Sequence, residues 1–310
     1  SPQQVVISNG AKHALHNAFT ATLNPGDEVI IPAPYWVSYS ELIKLTGAVP
    51  VIVKTEESSG FKLNAAQLRQ ALTPRTRMLL LCTPSNPTGT FYTKSELEGI
   101  ADVVLDADLT VVADEIYDQL IYTAEPFTSF PTVRPGLQER TILINGVSKT
   151  YAMTGWRIGW AIAPTLEVAK AMGDLQSQET SNPCSISQYA ALAALTGPQD
   201  CVETMRREFE RRRDYVAQRI AKLPGVTAAP MQGAFYAFIN ISQHLGKRYG
   251  GTLVENSSEW CLELLAQKGV ATVMGSAFGA EGYARLSFAT SMETLAAAFD
   301  QIEAFLQEAK

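Results

Sequence analysis

Lys149 follows Ser148 directly and precedes Arg157 by eight residues (157 − 149 = 8), in the run Ser148-Lys149-Thr150-Tyr151-Ala152-Met153-Thr154-Gly155-Trp156-Arg157. A lysine amine can condense with a carbonyl to form a Schiff base. A hydroxyl and a guanidinium beside it are both suited to gripping a phosphate. Together the three groups match the needs of pyridoxal 5′-phosphate (PLP), an aldehyde that carries a phosphate. A surface lysine with a structural arginine has the same spacing, so the reading depends on what else the chain brings to the same place.

The elements around that run suggest how it is held. An apolar stretch, 141–144, reads as a strand ending just before Lys149, and 158–162 reads as a second strand after Arg157. A lysine at a strand end reaches a cleft while the sheet fixes its backbone. Four further segments sit in comparable places. Residues 4–7 read as a buried strand, followed by Ser8-Asn9-Gly10-Ala11-Lys12 and a helix over 13–23. Small residues between a strand and a helix leave free N–H groups facing an anion, although a plain helix cap reads the same way. A strand over 28–31 leads into Pro34-Tyr35-Trp36, where Trp36 is either a stacking platform for a flat ring or core filler.

Strands at 48–54 and 77–81 flank a capped helix at 64–72. The loop Thr83-Pro84-Ser85-Asn86-Pro87-Thr88-Gly89 holds Asn86 between two prolines, as an amide presented to a ligand would be held. Thr93 and Glu96 form a capping box for the next helix, and a strand at 109–113 ends in Asp114-Glu115-Ile116-Tyr117. Strands alternating with helices predict an α/β fold with a doubly wound, mostly parallel sheet. Asn86, Asp114, Tyr117 and Lys149 then share its carboxyl edge, where open α/β sheets bind ligands.

Helices dominate after Pro164, the longest at about 198–223. It reads as the bridge from a large domain, 1–197, to a smaller α+β C-terminal domain, 198–310. The latter has strands near 225–229, 234–239, 270–273 and 285–289, with Arg285 opening the last. That arginine is either a ligand clamp or half of a surface salt bridge.

Composition narrows the function classes. Among 310 residues, 46% are hydrophobic and 18% charged, with net charge −6, which describes an ordinary globular chain with no basic stripe for nucleic acid or a membrane surface. The arginines at 206, 207 and 211–213 alternate with Glu203, Glu208, Glu210 and Asp214 and read as a solvated helix face. Four scattered cysteines without C-x-x-C fit reduced thiols and a cytoplasmic location. His13 and His16 lack an acidic third ligand in the sequence nearby, so no metal is expected. No apolar run approaches a membrane span, and no G-x-G-x-x-G follows a strand.

With these residues lined up, the sequence resembles the class I, fold-type I PLP-dependent aminotransferases. It is most similar to bacterial aspartate aminotransferases of the branch carrying Pro34-Tyr35-Trp36-Val37-Ser38-Tyr39. The likeness covers the whole chain. Asn9 to Lys12, Pro34 to Trp36, Asn86 to Gly89, Asp114 to Tyr117, Ser148 through Arg157 and Arg285-Leu286-Ser287 occur in the family's order.

The resemblance implies roles. Lys149 would hold PLP as a Schiff base and then act as general acid and base; a free lysine, with a pKa of about 10.4, would stay protonated at neutral pH, and a cationic neighbourhood such as Arg157 can lower it. Asp114 would pair with the pyridine nitrogen, and Asn86 and Tyr117 would bond the ring's phenolic oxygen. Trp36 would stack on the ring and border the substrate. Gly10, Ala11, Lys12, Ser148 and Arg157 would anchor the phosphate. Arg285 would clamp the substrate α-carboxylate, with Asn86 beside it. The Lys12 side chain is either the reader of a distal carboxylate or a solvated helix-start lysine. The implied reaction is ping-pong transfer of the amino group of L-aspartate, or a similar amino acid, to 2-oxoglutarate in a homodimer.

The resemblance also implies a segment ahead of Ser1 that completes the small domain and supplies a tyrosine to the neighbouring subunit's phosphate. Two rivals share the motifs. One is another PLP enzyme of this fold, such as an aromatic or kynurenine aminotransferase or a C–S β-lyase. The other is the aminotransferase-like effector domain of a transcription regulator.

Overall fold

The computed structural model describes residues 1–308. After a short 3-10 turn (Pro2–Gln4), the chain runs β1 (Val5–Ser8), α1 (Ala11–Thr22), β2 (Glu28–Ala33), α2 (Ser38–Leu45) and β3 (Val49–Lys54). It continues through α3 (Ala65–Ala71), β4 (Thr76–Cys82), α4 (Lys94–Asp106), β5 (Thr110–Asp114), β6 (Thr141–Gly146), α5 (Val147–Thr150) and β7 (Gly159–Ile162). Three helices follow, α6 (Leu166–Glu179), α7 (Ser185–Thr196) and α8 (Asp200–Ile220). The remainder is β8 (Thr227–Ala228), β9 (Tyr236–Asn240), β10 (Lys247–Tyr249), β11 (Thr252–Val254), α9 (Ser257–Lys268), β12 (Val273–Met274), β13 (Tyr283–Ser287) and α10 (Met292–Gln307).

Seven strands form one sheet in the order β1-β7-β6-β5-β4-β2-β3. β2, β3, β4, β5 and β6 are mutually parallel, while β7 runs against both β6 and β1. The two-residue alternation of a strand sorts the apolar runs onto two faces. Met78, Leu80 and Val112 pack with Leu15 and Phe19 of α1, Ile43 of α2 and Met172 of α6. Leu79, Leu81 and Val111 pack instead with Leu68 of α3 and Ile100 and Val104 of α4. Burial on both faces explains why β4 reads as a continuous hydrophobic run. The fold is the doubly wound α/β arrangement of fold type I, with a second sheet, β12-β13-β9-β8, that is antiparallel throughout.

Several elements differ from expectation. Residues 4–7 do not make a buried strand. Gln4 belongs to the preceding turn, and β1 is the sheet edge, with Val5 and Ile7 each 37% exposed. Only one of its faces is covered, so its side chains alternate. The first helix starts at Ala11, two residues earlier than expected, so Ala11 and Lys12 form its first turn. Arg285 lies at the centre of β13 rather than opening a strand, because pairing with β9 begins at Tyr283 and ends at Ser287. Residues 273–274, not 270–273, form β12. Helix α2 and the β10–β11 hairpin carry no expectation in the sequence reading.

The arginine-rich α8 is only partly solvated. Arg206 and Arg213 each pair with Glu210 and also donate to the carbonyls of Ile121 and Met231. The capping boxes at Asn64 and Thr93 form as read. Among the described residues no helix is long and apolar enough to cross a membrane.

Candidate active site

Because β1, β2, β4, β5 and β6 all point the same way, the segments following them emerge at one edge. They surround a cavity of about 320 Å³. Ala11, Lys12, Trp36, Asn86, Asp114, Tyr117, Ser148, Lys149, Arg157 and Arg285 all line it. Gly10, the remaining residue selected from the sequence, stands just behind as the N-cap of α1. A second hollow of about 480 Å³, bordered by Asp118, Asn145, Tyr151 and Arg206, contains none of them.

Close backbone packing builds the corner where Ala11, Ser148 and Arg157 meet. Gly10 has φ +83, and a Cβ there would fall 2.3 Å from Nη2 of Arg157. Gly159, opposite Ser8 in the β1–β7 ladder, would place a Cβ 2.3 Å from the Ala11 nitrogen. Glycine at both positions lets the first turn of α1, the Ser148 hydroxyl and the Arg157 guanidinium converge. Free N–H groups at a helix start favour an anion. Arg157, itself at φ 55, is steadied by bonds from Nη1 to the Thr154 carbonyl (2.8 Å) and from Nη2 to the Asn9 carbonyl (3.4 Å).

A further set of bonds steadies the same turn from behind. The Asn9 N–H donates to Nδ1 of His13 at 3.2 Å, so His13 donates through Nε2 to Glu179 at 2.9 Å. His16 bonds the other carboxylate oxygen at 2.9 Å. An acid therefore does join the two histidines, supplied by α6, far off in sequence. Among the described residues no group of three such side chains is arranged to hold a metal ion. Deeper in, Gln176 accepts from Ser8 (2.6 Å) and Asn17 (3.0 Å) and donates to the Ile7 carbonyl (2.8 Å).

Asp114, at the end of β5, is 3% exposed. Its Oδ2 accepts from the Tyr39 hydroxyl at 2.6 Å and its Oδ1 from the Ile116 N–H at 3.2 Å. Burial pushes its pKa up, against the pull of the Tyr39 bond, the Ile116 N–H and the Lys149 charge. A carboxylate has about four acceptor positions, so these bonds leave room for another donor from the cavity. Burial likewise holds the Cys82 thiol next to it at about 12.

Lys149 sits in the single-turn α5, its Nζ 5.6 Å from the Phe235 ring centre and 5.9 Å from that of Tyr117. Its pKa is lowered chiefly by burial; Asp114 opposes this, and the charges of Arg157 and Arg285 assist. The sequence reading gave the cationic neighbour first place. Desolvation is the larger cause, because the amine lies beside the Tyr117 and Phe235 rings.

Tyr117 and Tyr236 share a bond of 3.0 Å between hydroxyls, and burial raises the pKa of both. With Tyr236 donating, the Tyr117 proton is free for an acceptor in the cavity. Nη1 of Arg285 donates to Oδ1 of Asn86 at 2.8 Å, and its guanidinium lies 4.5 Å from the Tyr236 ring centre and 4.9 Å from that of Phe278. Its Nε is buried without a hydrogen-bond partner, and burial lowers its pKa. As a guanidinium on the cavity wall, Arg285 is suited to an anion. The side chain of Lys12 places Nζ 4.9 Å from the Trp36 ring centre.

Tyr39 and Tyr236 escaped the sequence reading. Tyr39 had a signal, since it closes the Pro34–Tyr39 motif three residues after Trp36, and their rings meet edge to face at 5.3 Å. Tyr236 had none, because only the folded second sheet brings it beside Tyr117.

The residues present fit pyridoxal phosphate. They offer an anion-seeking helix start with Ser148 and Arg157, a buried acid suited to a ring nitrogen, and an amine with a depressed pKa on the same cavity wall.

Comparison with known proteins agrees. The family model "Aminotransferase class I and II" matches residues 1–302. An aspartate/prephenate aminotransferase of Cereibacter sphaeroides is 47% identical over 98% of this chain and 76% of its own length. An aspartate aminotransferase of Geobacillus stearothermophilus is 46% identical over 99% of this chain and 77% of its own. The crystal structure of the aspartate aminotransferase from Rhizobium meliloti superposes with a TM-score of 0.96 at 41% identity, covering all of this chain and 78% of that one. With a lysine, a buried acid and an arginine on one cavity, and with a family match along nearly its full length, this chain belongs to the class I and II aminotransferases.

Proposed function

We propose that the protein transfers the amino group of L-aspartate to 2-oxoglutarate, using pyridoxal phosphate held in the 320 Å³ cavity. The observation that carries this reading is the convergence there of Lys149, Asp114 and Arg285. Bound there, the cofactor supplies an aldehyde for the amino group and a ring that takes up the electron pair left when Cα loses its proton.

Each side chain has a share of the work. Ala11 and Lys12 offer backbone N–H groups to the phosphate, Gly10, whose own N–H is held by the Ser8 carbonyl at 2.7 Å, leaves the room by lacking a side chain, and Ser148 and Arg157 close around it. Asp114 holds a proton on the ring nitrogen through its free acceptor positions. Tyr117 and Asn86 bond the phenolic oxygen, and Trp36 covers one ring face. Arg285 binds the α-carboxylate, which fixes the Cα–H bond relative to the ring. Burial keeps the Lys149 amine readier to lose its proton than a free lysine, so it can accept the Cα proton and return one elsewhere. Lys12, lying along Trp36, reads the distal carboxylate of aspartate.

Aspartate is chosen as donor because the names of both curated relatives carry it. The same reading takes the protein as a cytoplasmic homodimer and divides the chain after residue 197.

The test is the absorption spectrum of the cofactor-loaded protein before and after L-aspartate, with no oxo acid present. The lysine-bound band should give way to that of pyridoxamine phosphate as oxaloacetate appears in equal amount. A band indifferent to aspartate overturns the donor, and absence of any lysine-bound band overturns the role of Lys149. An acceptor panel should include prephenate, which the first relative's name also carries.

A further inference from the structure

Arg285 must be held at the right height above the cavity, yet it belongs to a different sheet from the residues it faces. Its strand β13 pairs with β9 in the register Tyr283↔Asn240, Arg285↔Phe238 and Ser287↔Tyr236. Positions two apart on a strand share a face, so these three rows lie side by side on one surface of the small sheet. Each row meets the carboxyl edge of the large sheet differently. Tyr236 bonds Tyr117, and Arg285 bonds Asn86. The third row extends one strand further, because Thr227 of β8 stands opposite Asn240.

That third row converges on a single side chain. Glu57, in the turn after β3, accepts from Thr227 through Oε1 at 2.8 Å. Its Oε2 accepts from Asn240 Nδ2 at 3.0 Å and from the Tyr283 hydroxyl at 3.1 Å. One carboxylate thus ties three adjacent strands, all through neutral donors. Four residues on, Phe61 packs edge to face against both Tyr283 (5.4 Å) and Phe238 (5.7 Å). Phe238 is the residue opposite Arg285. The β3–α3 loop therefore grips the small sheet one row away from the guanidinium.

We propose that Glu57 is a positioning residue for substrate binding: its carboxylate, by holding the Thr227–Asn240–Tyr283 row, sets the place of Arg285 over the cavity. This inference rests on the assignment of Arg285 as the carboxylate clamp. Glu57 touches neither cofactor nor substrate. Its removal leaves the Arg285–Asn86 and Tyr117–Tyr236 ties but frees the end of β13 nearest the loop. Arg285 then samples heights at which a bidentate grip on a carboxylate fails.

The experiment compares the parent, Glu57→Ala, Glu57→Gln and Tyr283→Phe as PLP-loaded proteins. The readouts are PLP affinity, kcat and KM for aspartate, and calorimetric binding of maleate, a dicarboxylate that cannot transaminate. Glu57→Ala should raise KM and the maleate Kd together by about tenfold, with kcat and PLP affinity within about twofold of the parent. Glu57→Gln, which keeps one acceptor, should recover part of the loss. Tyr283→Phe should show the same signature more weakly, and its effect should not add to that of Glu57→Ala.

A lowered melting temperature with unchanged maleate binding makes Glu57 merely structural and overturns the proposal. If Glu57→Ala does not fold, Tyr283→Phe decides by the same criterion. Failure of the parent to bind maleate or respond to aspartate refutes the functional reading itself, a result separate from any behaviour of Glu57.

Discussion

Gly159→Ala is the sharpest available test of how the phosphate corner is built. The new methyl would lie 2.3 Å from the Ala11 nitrogen, 2.7 Å from the Gly10 carbonyl carbon and 2.9 Å from the Ala11 Cα. Ordinary van der Waals contact begins at 3.4 Å, so β7 and the start of α1 must separate by 3.4 − 2.3 = 1.1 Å. All three obstructing atoms are backbone, so no rotamer change relieves the clash. Overpacking of this kind costs about 1–3 kcal/mol of stability. The functional loss is larger in proportion, because a displaced helix start weakens charge-assisted bonds worth about 1.5–3 kcal/mol. At about 1.4 kcal/mol per decade, PLP affinity should fall roughly 10- to 150-fold. The assay is a PLP titration followed by absorbance, with a thermal melt of the cofactor-free protein beside it. Gly173→Ala is the control, since its position in α6 has nothing within 4 Å and no positive φ, and it should melt at or slightly above the parent temperature. A Gly159→Ala protein that binds PLP within about twofold of the parent would refute the claim that this close approach forms the phosphate site.

Three other perturbations probe separate groups. Tyr39→Phe deletes the 2.6 Å donor to buried Asp114 and should push that acid's pKa further up, weakening PLP binding about tenfold; a spectrum and affinity equal to the parent's would count against the role of Tyr39. Lys149→Met should raise the melting temperature of the cofactor-free protein at neutral pH, because folding lowers the lysine pKa. The unfolded chain then binds more protons below the usual 10.5, so the parent gains stability as pH rises toward that value and the advantage of the variant shrinks; melts from pH 6 to 10 showing a constant difference would contradict this. Lys12→Ala should raise KM for aspartate about tenfold more than KM for an aromatic donor, and equal effects on both would remove Lys12 from reading the distal carboxylate.

Much of the site was legible before the fold was known, for a physical reason. Asn86, Asp114 and Lys149 each lie at or just beyond the carboxyl end of an apolar strand, and parallel strands put such residues on one edge whatever their distance in sequence. Gly10 was legible as a small residue between strand and helix, whereas Gly159 was read only as part of a strand, and the contact distances that require both were not legible. Arg285 was recognisable as a residue and misplaced in its strand, because register depends on the partner strand β9 and not on local pattern. Tyr236, Glu57 and Phe61 had no local signal at all. Their roles arise where the second sheet lies against the first. The balance of causes at Lys149 was also out of reach, since desolvation is a property of the packed structure.

The edge position of β1 has a consequence for how the protein is made. Its ladder is formed with β7 alone, in the pairing Val5↔Ile162 through Ser8↔Gly159. Between the synthesis of Ser8 and that of Ile162 lie 162 − 8 = 154 residues. At about 5–20 residues per second, the ribosome takes roughly 8 to 30 s to supply that partner. Through that interval β1 waits with its apolar residues Val5 and Ile7 and no native ladder to join. The strand leading to the Gly10 turn is thus made well before its partner. Slowed translation, or a break in the chain between α1 and β7, should expose it to pairing with other nascent chains before the enzyme can close around its cofactor.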